Sequence, residues 1–324
     1  MKKIIITGAT GFVGGALAKH FAGAGWDVTG VKRPSSTQPA DLEISWVDGD
    51  VTEASRLSGI FHEADFVIHA AGMLGEAGIP ESAYQQLHVD GTKNVLNAIE
   101  KQAPNARILY VSSPGVLGPI DGSPADETTP LAPSNPYERS KAKAEALVRE
   151  YAGQGLDIVI ARPEFIYGPH DAHVLGLFSA IQRGLFFYIG NGRSTCHPTF
   201  IDDAVRGMAL CLEKGQSGEI YHITGPTQVT FKELGETIAN AVDVHHPWIR
   251  IPKPIAMIGA WCLELLGSLL GRTPPLSRTG VAFFSENRAF SWQKARALLE
   301  YTPQNDLATG VQKTVTWYRQ QGWL

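Results

Sequence analysis

The 324-residue chain is 44% hydrophobic and 19% charged, enough apolar material for a large buried core and too little charge for a disordered chain. A net charge of −4 disfavours nucleic-acid binding, which needs clustered excess Lys and Arg to grip a phosphate backbone. Three dispersed cysteines, Cys196, Cys211 and Cys262, form no CxxC pair, which excludes a disulfide scaffold or cysteine-rich zinc site and suits a reducing cytoplasm.

In chain order, Met1-Lys2-Lys3 followed by Ile4-Ile5-Ile6 imitates a signal peptide. The apolar run stops at Thr7-Gly8, so it reads as a buried first strand. Strands are predicted at Lys3–Thr7, Asp27–Val31, Ile44–Asp48, Phe66–Ala70, Arg107–Ser112 and Asp157–Ala161, nearly continuous in apolar residues. Helical patterns fall between them, at Phe12–Ala24, Ala83–Lys101 and Pro136–Tyr151. This alternation implies an α/β fold, a doubly wound parallel sheet of Rossmann type. Pro114–Pro136 is rich in Pro, Gly, Ser and Asp and reads as a functional loop. Further on, helices are predicted at Val174–Arg183, Asp202–Lys214, Phe231–Val242, Ser291–Glu300 and Asp306–Gln321, with a strand at Ile220–Thr224. Residues 1–168 are therefore expected to form the dinucleotide-binding domain. Residues 169–324 are expected to form a smaller, interleaved α+β substrate lobe, with about 199–225 returning to the first core. Ile255–Leu270 is too short to span a bilayer and reads as an amphipathic helix that caps an apolar pocket or touches a membrane surface, or else as a helix packed on the core.

The first strand runs into Gly8-Ala9-Thr10-Gly11-Phe12-Val13-Gly14. Here Gly8 permits a tight turn, Gly11 lets backbone approach a pyrophosphate, and Gly14 lets helix and strand pack closely. A pyrophosphate would rest on the following helix N-terminus. After the second strand stand Lys32, Arg33, Ser35 and Ser36. Two cations and two hydroxyls suit a 2′-phosphate, so NADP is expected over NAD. Tyr137 and Lys141 lie four apart on one helix face behind Pro136, and a nearby ammonium would lower the phenol's pKa toward working pH.

Together these segments resemble the extended short-chain dehydrogenase/reductase family. The resemblance is carried by Thr7–Gly14, His69-Ala70-Ala71-Gly72, Gly91-Thr92-Lys93-Asn94-Val95, Val111–Gly118, Tyr137–Lys141, Arg162–Pro169 and Thr199–Ala204, in order over about the first 240 residues. It implies that Ser113 steadies the reacting oxygen, Tyr137 is the acid/base, and Lys141 holds the nicotinamide ribose and tunes Tyr137. It also implies that Asp50 and Val51 border the adenine, that Ala70, Ala71 and Gly72 pass the ribose and phosphates, and that Pro163 lies near nicotinamide. The tail, 252–324, more loosely resembles the 3β-hydroxysteroid dehydrogenase-like branch. Relatives pair through helices equivalent to 83–101 and 136–151, which implies a homodimer.

Some positions depart from the family pattern. His88 stands where Asn is frequent, though a histidine could also donate to the cofactor. Leu117 replaces a tyrosine. Phe165 stands where sugar-nucleotide members tend to have Asn, and Cys196-His197-Pro198 where they tend to have an Arg-Asp pair. A diphosphate favours an arginine fork, which only Arg193 or Arg272 could replace. The substrate side is expected to include Pro114, Phe165, Leu175 and Phe187, and the substrate to be a small molecule of low polarity. His170, Asp171 and His173 offer no third ligand at suitable spacing, so no metal is expected. The leading expectation is an NAD(P)-dependent oxidoreductase interconverting a secondary alcohol and a ketone. The alternatives are a nucleotide-sugar epimerase or dehydratase using the same residues, and a cofactor-sensing protein with a dead site.

Overall fold

The computed structural model describes residues 1–76, 78–270, 274 and 276–324. Arg272 lies outside them. The first half alternates β1 (Lys3–Thr7), α1 (Phe12–Gly23), β2 (Asp27–Lys32), β3 (Ser45–Asp48), β4 (Phe66–His69), α2 (Glu81–Tyr84), α3 (Gly91–Gln102), β5 (Arg107–Val111), α4 (Pro136–Gly153) and β6 (Ile158–Pro163). The second half contributes β7 (Ile166–Tyr167), α5 (Leu175–Gln182), β8 (Tyr188–Ile189), β9 (Thr195–Cys196), β10 (Thr199–Phe200), α6 (Ile201–Lys214) and β11 (Ile220–Ile223). It continues with β12 (Val229–Thr230), α7 (Phe231–Val242), β13 (Arg250–Ile251), α8 (Lys253–Leu270), α9 (Arg278–Ser285), α10 (Gln293–Leu299) and α11 (Leu307–Gln320).

Seven strands make one sheet, ordered β11-β6-β5-β4-β1-β2-β3, and every pairing in it is parallel. Strand alternation explains why nearly every residue in the middle strands is apolar. Ile4 and Ile6 point into a layer with Leu17, Phe21 and Met208 of α1 and α6, whereas Ile5 points into the opposite layer with Val95, Ile99 and Val148 of α3 and α4. The C-terminal lobe adds two-residue strand pairs, β7 with β10, β9 with β12, and β8 with β13. β11 forms an edge of the large sheet and α6 packs in the layer that Ile4 and Ile6 face, so the second half of the chain contributes to both regions.

The helix expected over 83–101 is divided. After α2 comes a wide π turn at Gln85–Asp90, and only then α3. The extra residue of that turn accompanies a fully buried His88. The unanticipated α9 is capped by Ser277, whose Oγ accepts from Gly280 N at 3.0 Å. Its eight residues are too few for periodicity to reveal. Among the described residues α8 alone has the length and composition of a membrane span, with mean hydropathy 1.4 and only Ala256, Ala260 and Gly267 buried.

Candidate active site

The glycine turn is shaped by contact as well as by dihedral angle. Gly8 has φ 76°, and a Cβ there would lie 2.7 Å from the Ala70–Ala71 peptide. One at Gly14 would run into the Gly8 carbonyl. Gly11 N donates to Gly8 O at 3.0 Å, closing the turn. Helix α1 starts at Phe12 with Gly11 as its cap and no capping side chain, which leaves the N–H groups of Phe12, Val13 and Gly14 for an anion. Thr10 is half-buried in the same turn, while Ala71 and Gly72 continue along its edge. A crowded, Cβ-free cradle ending at an uncapped helix fits a dinucleotide pyrophosphate.

Two histidines brace this cradle. His69 is buried, with Nδ1 2.7 Å from Thr7 Oγ1 and Nε2 3.0 Å from Thr92 Oγ1, tying the ends of β1 and β4 to α3. Burial, aided by the Lys141 charge, holds its pKa down at about 3. His88, expected to face the cofactor, instead turns both ring nitrogens to the protein. Met73 N donates to Nε2 at 3.1 Å, which assigns the proton to Nδ1, 2.8 Å from Ser140 Oγ. The Ser140 hydroxyl in turn donates to the Tyr137 carbonyl at 2.7 Å. His88 therefore positions the first turn of α4 and has no nitrogen left for a ligand.

The Ser113 hydroxyl lies near enough to Tyr137 to pull the phenol pKa down. Ser113 caps the short 3₁₀ turn at Pro114–Leu117, its Oγ accepting from Gly115 N at 3.1 Å. Asn135 caps α4 and accepts from Glu138 N at 3.0 Å, with Pro136 in the first turn; this sets the position of Tyr137. The expected electrostatics are reversed. Burial raises the Tyr137 pKa to about 12, against the pull of Ser113. The Lys141 ammonium donates to Val111 O at 2.7 Å and lies 4.8 Å from the centre of the Tyr110 ring. Its own burial lowers its pKa to about 8, with Glu145 acting upward. Glu145 in turn holds a buried bidentate pair with Arg162, at 2.9 and 2.5 Å, and accepts from Ser112 Oγ at 2.7 Å.

At the end of β2, Lys32 is spent on Asp48, at 2.5 Å across the β2–β3 register, whereas Arg33 is exposed. The expected pair of cations is thus reduced to Arg33. Asp50 folds back on Thr52, whose N and Oγ1 donate to it at 2.9 and 2.7 Å, and Val51 is buried, its carbonyl accepting from Asn94 at 2.9 Å. Pro163 ends β6, paired in register with Ile223 of β11.

Next along the chain are residues that sequence reasoning did not single out. Glu164 is 5% exposed, and Phe165 follows with φ 35°, an uncommon backbone for an aromatic residue. The Phe165 ring meets Phe283 of α9 at 5.4 Å, and Phe283 continues to Phe231 and Phe284. Arg288 pairs with Glu138 at 2.8 Å, both buried. Of the expected substrate contacts, Phe165 lies on this aromatic wall and Pro114 is buried below Ser113. Leu175 packs at the rim of the core, and Phe187 packs into the α8–α9 cluster. The acid between Pro163 and Phe165 is a signal the sequence carries. Arg288 and Phe283 are more than 110 residues away and carry none.

The family model for NAD dependent epimerase/dehydratases matches residues 4–224. The chain is 29% identical over 289 residues to a decarboxylating sterol-4-alpha-carboxylate 3-dehydrogenase of Schizosaccharomyces pombe, covering 85% of this chain and 84% of the relative. It is 27% identical to the Escherichia coli O157:H7 N-acetyl-alpha-D-glucosaminyl-diphospho-ditrans,octacis-undecaprenol 4-epimerase, over 96% and 94% of the two chains. A dTDP-glucose 4,6-dehydratase of Streptomyces venezuelae, solved with NAD bound, superposes with a TM-score of 0.81 at 25% identity, over 99% and 98% of the chains. The chain belongs to the NAD dependent epimerase/dehydratase family, NAD-dependent enzymes of the extended short-chain dehydrogenase/reductase type.

Proposed function

We propose that the protein interconverts a secondary alcohol and a ketone on a substrate of low polarity. The observation that carries this reading is the aromatic cluster of Phe165, Phe283 and Phe231, which begins two residues after Pro163, the residue expected near nicotinamide. A bound nicotinamide cofactor supplies hydride exchange. Tyr137 holds the proton that a ketone oxygen takes up, Ser113 hydrogen-bonds that oxygen, and the glycine turn with Ala70–Gly72 orients the dinucleotide. The segment where an arginine fork would serve a diphosphate is instead packed. Cys196 and His197 are buried, with His197 Nε2 3.0 Å from Gly225 O. Arg193 is exposed.

The test is nicotinamide absorbance with a panel of apolar ketones and of UDP- and dTDP-sugars. Sustained cofactor oxidation with ketones supports the reading. Turnover of a sugar nucleotide without net cofactor change favours the second reading, an epimerase or dehydratase, which two of the relatives named above support. A preference for NADP rests on Arg33 alone, and Arg33→Ala should abolish it; an unaltered preference removes the argument.

The reading extends to surroundings. Helix α8 exposes Ile255, Ile258, Trp261, Leu265, Leu266 and Leu269, with Arg250 and Lys253 at its start. We propose that it rests in the interface of an anionic bilayer from which an apolar substrate is drawn, the rest of the protein standing in the cytoplasm. A homodimer through α3 and α4 is likewise proposed, and light scattering in detergent-free buffer tests it.

A further inference from the structure

We propose that Tyr84 is a positioning residue for Tyr137. Its hydroxyl clamps the loop at Met73–Glu76 against the Tyr137 side chain, and loop and neighbouring rings together fix where the acid/base phenol stands. The proposal rests on Tyr137 as the acid/base, a role that the alcohol–ketone reading shares with its epimerase or dehydratase rival.

The loop follows β4 and the Ala70–Gly72 stretch, and its backbone comes down on Tyr137. A Cβ at Gly75 would lie 3.2 Å from Tyr137 Cβ and 3.3 Å from Cγ, so only the missing side chain lets the loop lie this close without pressing on the phenol. Leu74, Gly75 and Glu76 are exposed and belong to no helix or strand, so side chains must hold them. Glu76 N donates to Tyr84 Oη at 2.9 Å, and the same hydroxyl shares its proton between Leu74 O at 3.2 Å and Glu76 O at 3.3 Å. Met73 N is tied separately to His88 Nε2 at 3.1 Å.

Tyr84 is 2% exposed, so its hydroxyl serves the loop rather than water. Burial also pushes its pKa up from the ordinary value, which keeps the proton in place and lets one oxygen donate and accept at once. Its ring stands edge-on to Tyr137 at 6.1 Å, and the His88 ring does the same at 5.7 Å. Tyr137 is thus bordered by two rings and by the Gly75 backbone, and one hydroxyl joins ring to backbone. Helix α4 has other ties to this region, Arg139 to Glu81 at 3.2 Å and Ser140 to His88 at 2.8 Å, so it stays docked without that hydroxyl.

The experiment uses Tyr84→Phe, which keeps the ring and removes the clamp. Hydrogen exchange read by mass spectrometry should show the Glu76 amide exchanging about ten-fold faster, the worth of one hydrogen bond. With any ketone or sugar nucleotide of the panel above that turns over, kcat should fall about ten-fold, as for a shift of roughly half an ångström at a reacting group. KM, calorimetric affinity for NAD and melting temperature should hold. Gly75→Ala, which presses on Tyr137 while the loop is clamped, should lower kcat too, yet cost little more when added to Tyr84→Phe, because the released loop gives way. An unaltered Glu76 exchange rate overturns the proposal whether or not a substrate turns over. So does an unchanged kcat, and so do two losses that simply multiply, the mark of independent structural damage. Wild-type turnover in Tyr137→Phe would instead overturn the acid/base assignment itself, and the proposal with it.

Discussion

The Tyr137 phenol holds its proton to about pH 12 because burial outweighs the pull of Ser113, so at neutral pH it enters the reaction as an acid. Ketone reduction uses that protonated form directly, whereas alcohol oxidation needs the phenolate. Oxidation rates should therefore climb as pH rises above neutrality, while reduction stays level until the phenol ionises. Initial rates in both directions across pH check this, and parallel profiles would contradict it. Tyr137→Phe should lower kcat by about 10²–10⁴-fold with little change in cofactor affinity, read by steady-state kinetics and cofactor titration. His88 shows how residue identity alone misleads. Its position suggested a donor to the cofactor, yet contacts with Met73 and Ser140 occupy both nitrogens.

Strands and helices carry two further predictions. The Arg162–Glu145 pair joins β6 to α4 with both side chains 1% exposed. Arg162→Met alone leaves a buried carboxylate without its partner and should cost about 3–5 kcal/mol in chemical denaturation. Adding Glu145→Leu should recover much of that loss, since the desolvation penalty disappears with the second charge. Helix α8 touches the rest of the protein through Ala256, Ala260, Gly267 and Met257 and leaves most of its large residues outside. The protein should float with vesicles containing phosphatidylglycerol, and Trp261→Glu with Leu265→Glu should abolish flotation while the melting temperature holds. Flotation unchanged by the two acids would mean that α8 does not make the contact.

For the molecule as a whole, buried histidines govern acid behaviour. Burial holds His69, His88 and His222 down at about 3 and His197 at about 4. Unfolded, each titrates near about 6.5. A depressed folded pKa means that the unfolded chain binds more protons, so this stability is complete above about 6.5 and is lost as pH falls toward about 3. Glu164 acts in the opposite sense, its contribution being lost as pH rises from about 4.5 through about 7. The histidines are more numerous, so folding stability, and the melting temperature with it, should fall steadily below about pH 6.5, the stability by on the order of 1 kcal/mol per histidine for each pH unit. Scanning calorimetry across that range measures the slope; a level melting temperature would show that these histidines are not held neutral.

Much of the architecture is legible in the amino-acid order. Isoleucines on both faces of β1, glycines at fixed offsets after it, and the Pro136–Tyr137–Lys141 helix start are local patterns, and local sterics and hydrogen bonding decide them. The wide turn before α3, the partner of Lys32, the sign of the Tyr137 shift and the meeting of Glu138 with Arg288 are not. Each depends on which distant groups share a desolvated volume, and burial and charge act through space. The amino-acid order thus determined the sheet, the glycine turn and the candidate catalytic residues. Packing alone decided their protonation, their partners and the wall the substrate would meet, because those are set by proximity between segments that the chain itself keeps far apart.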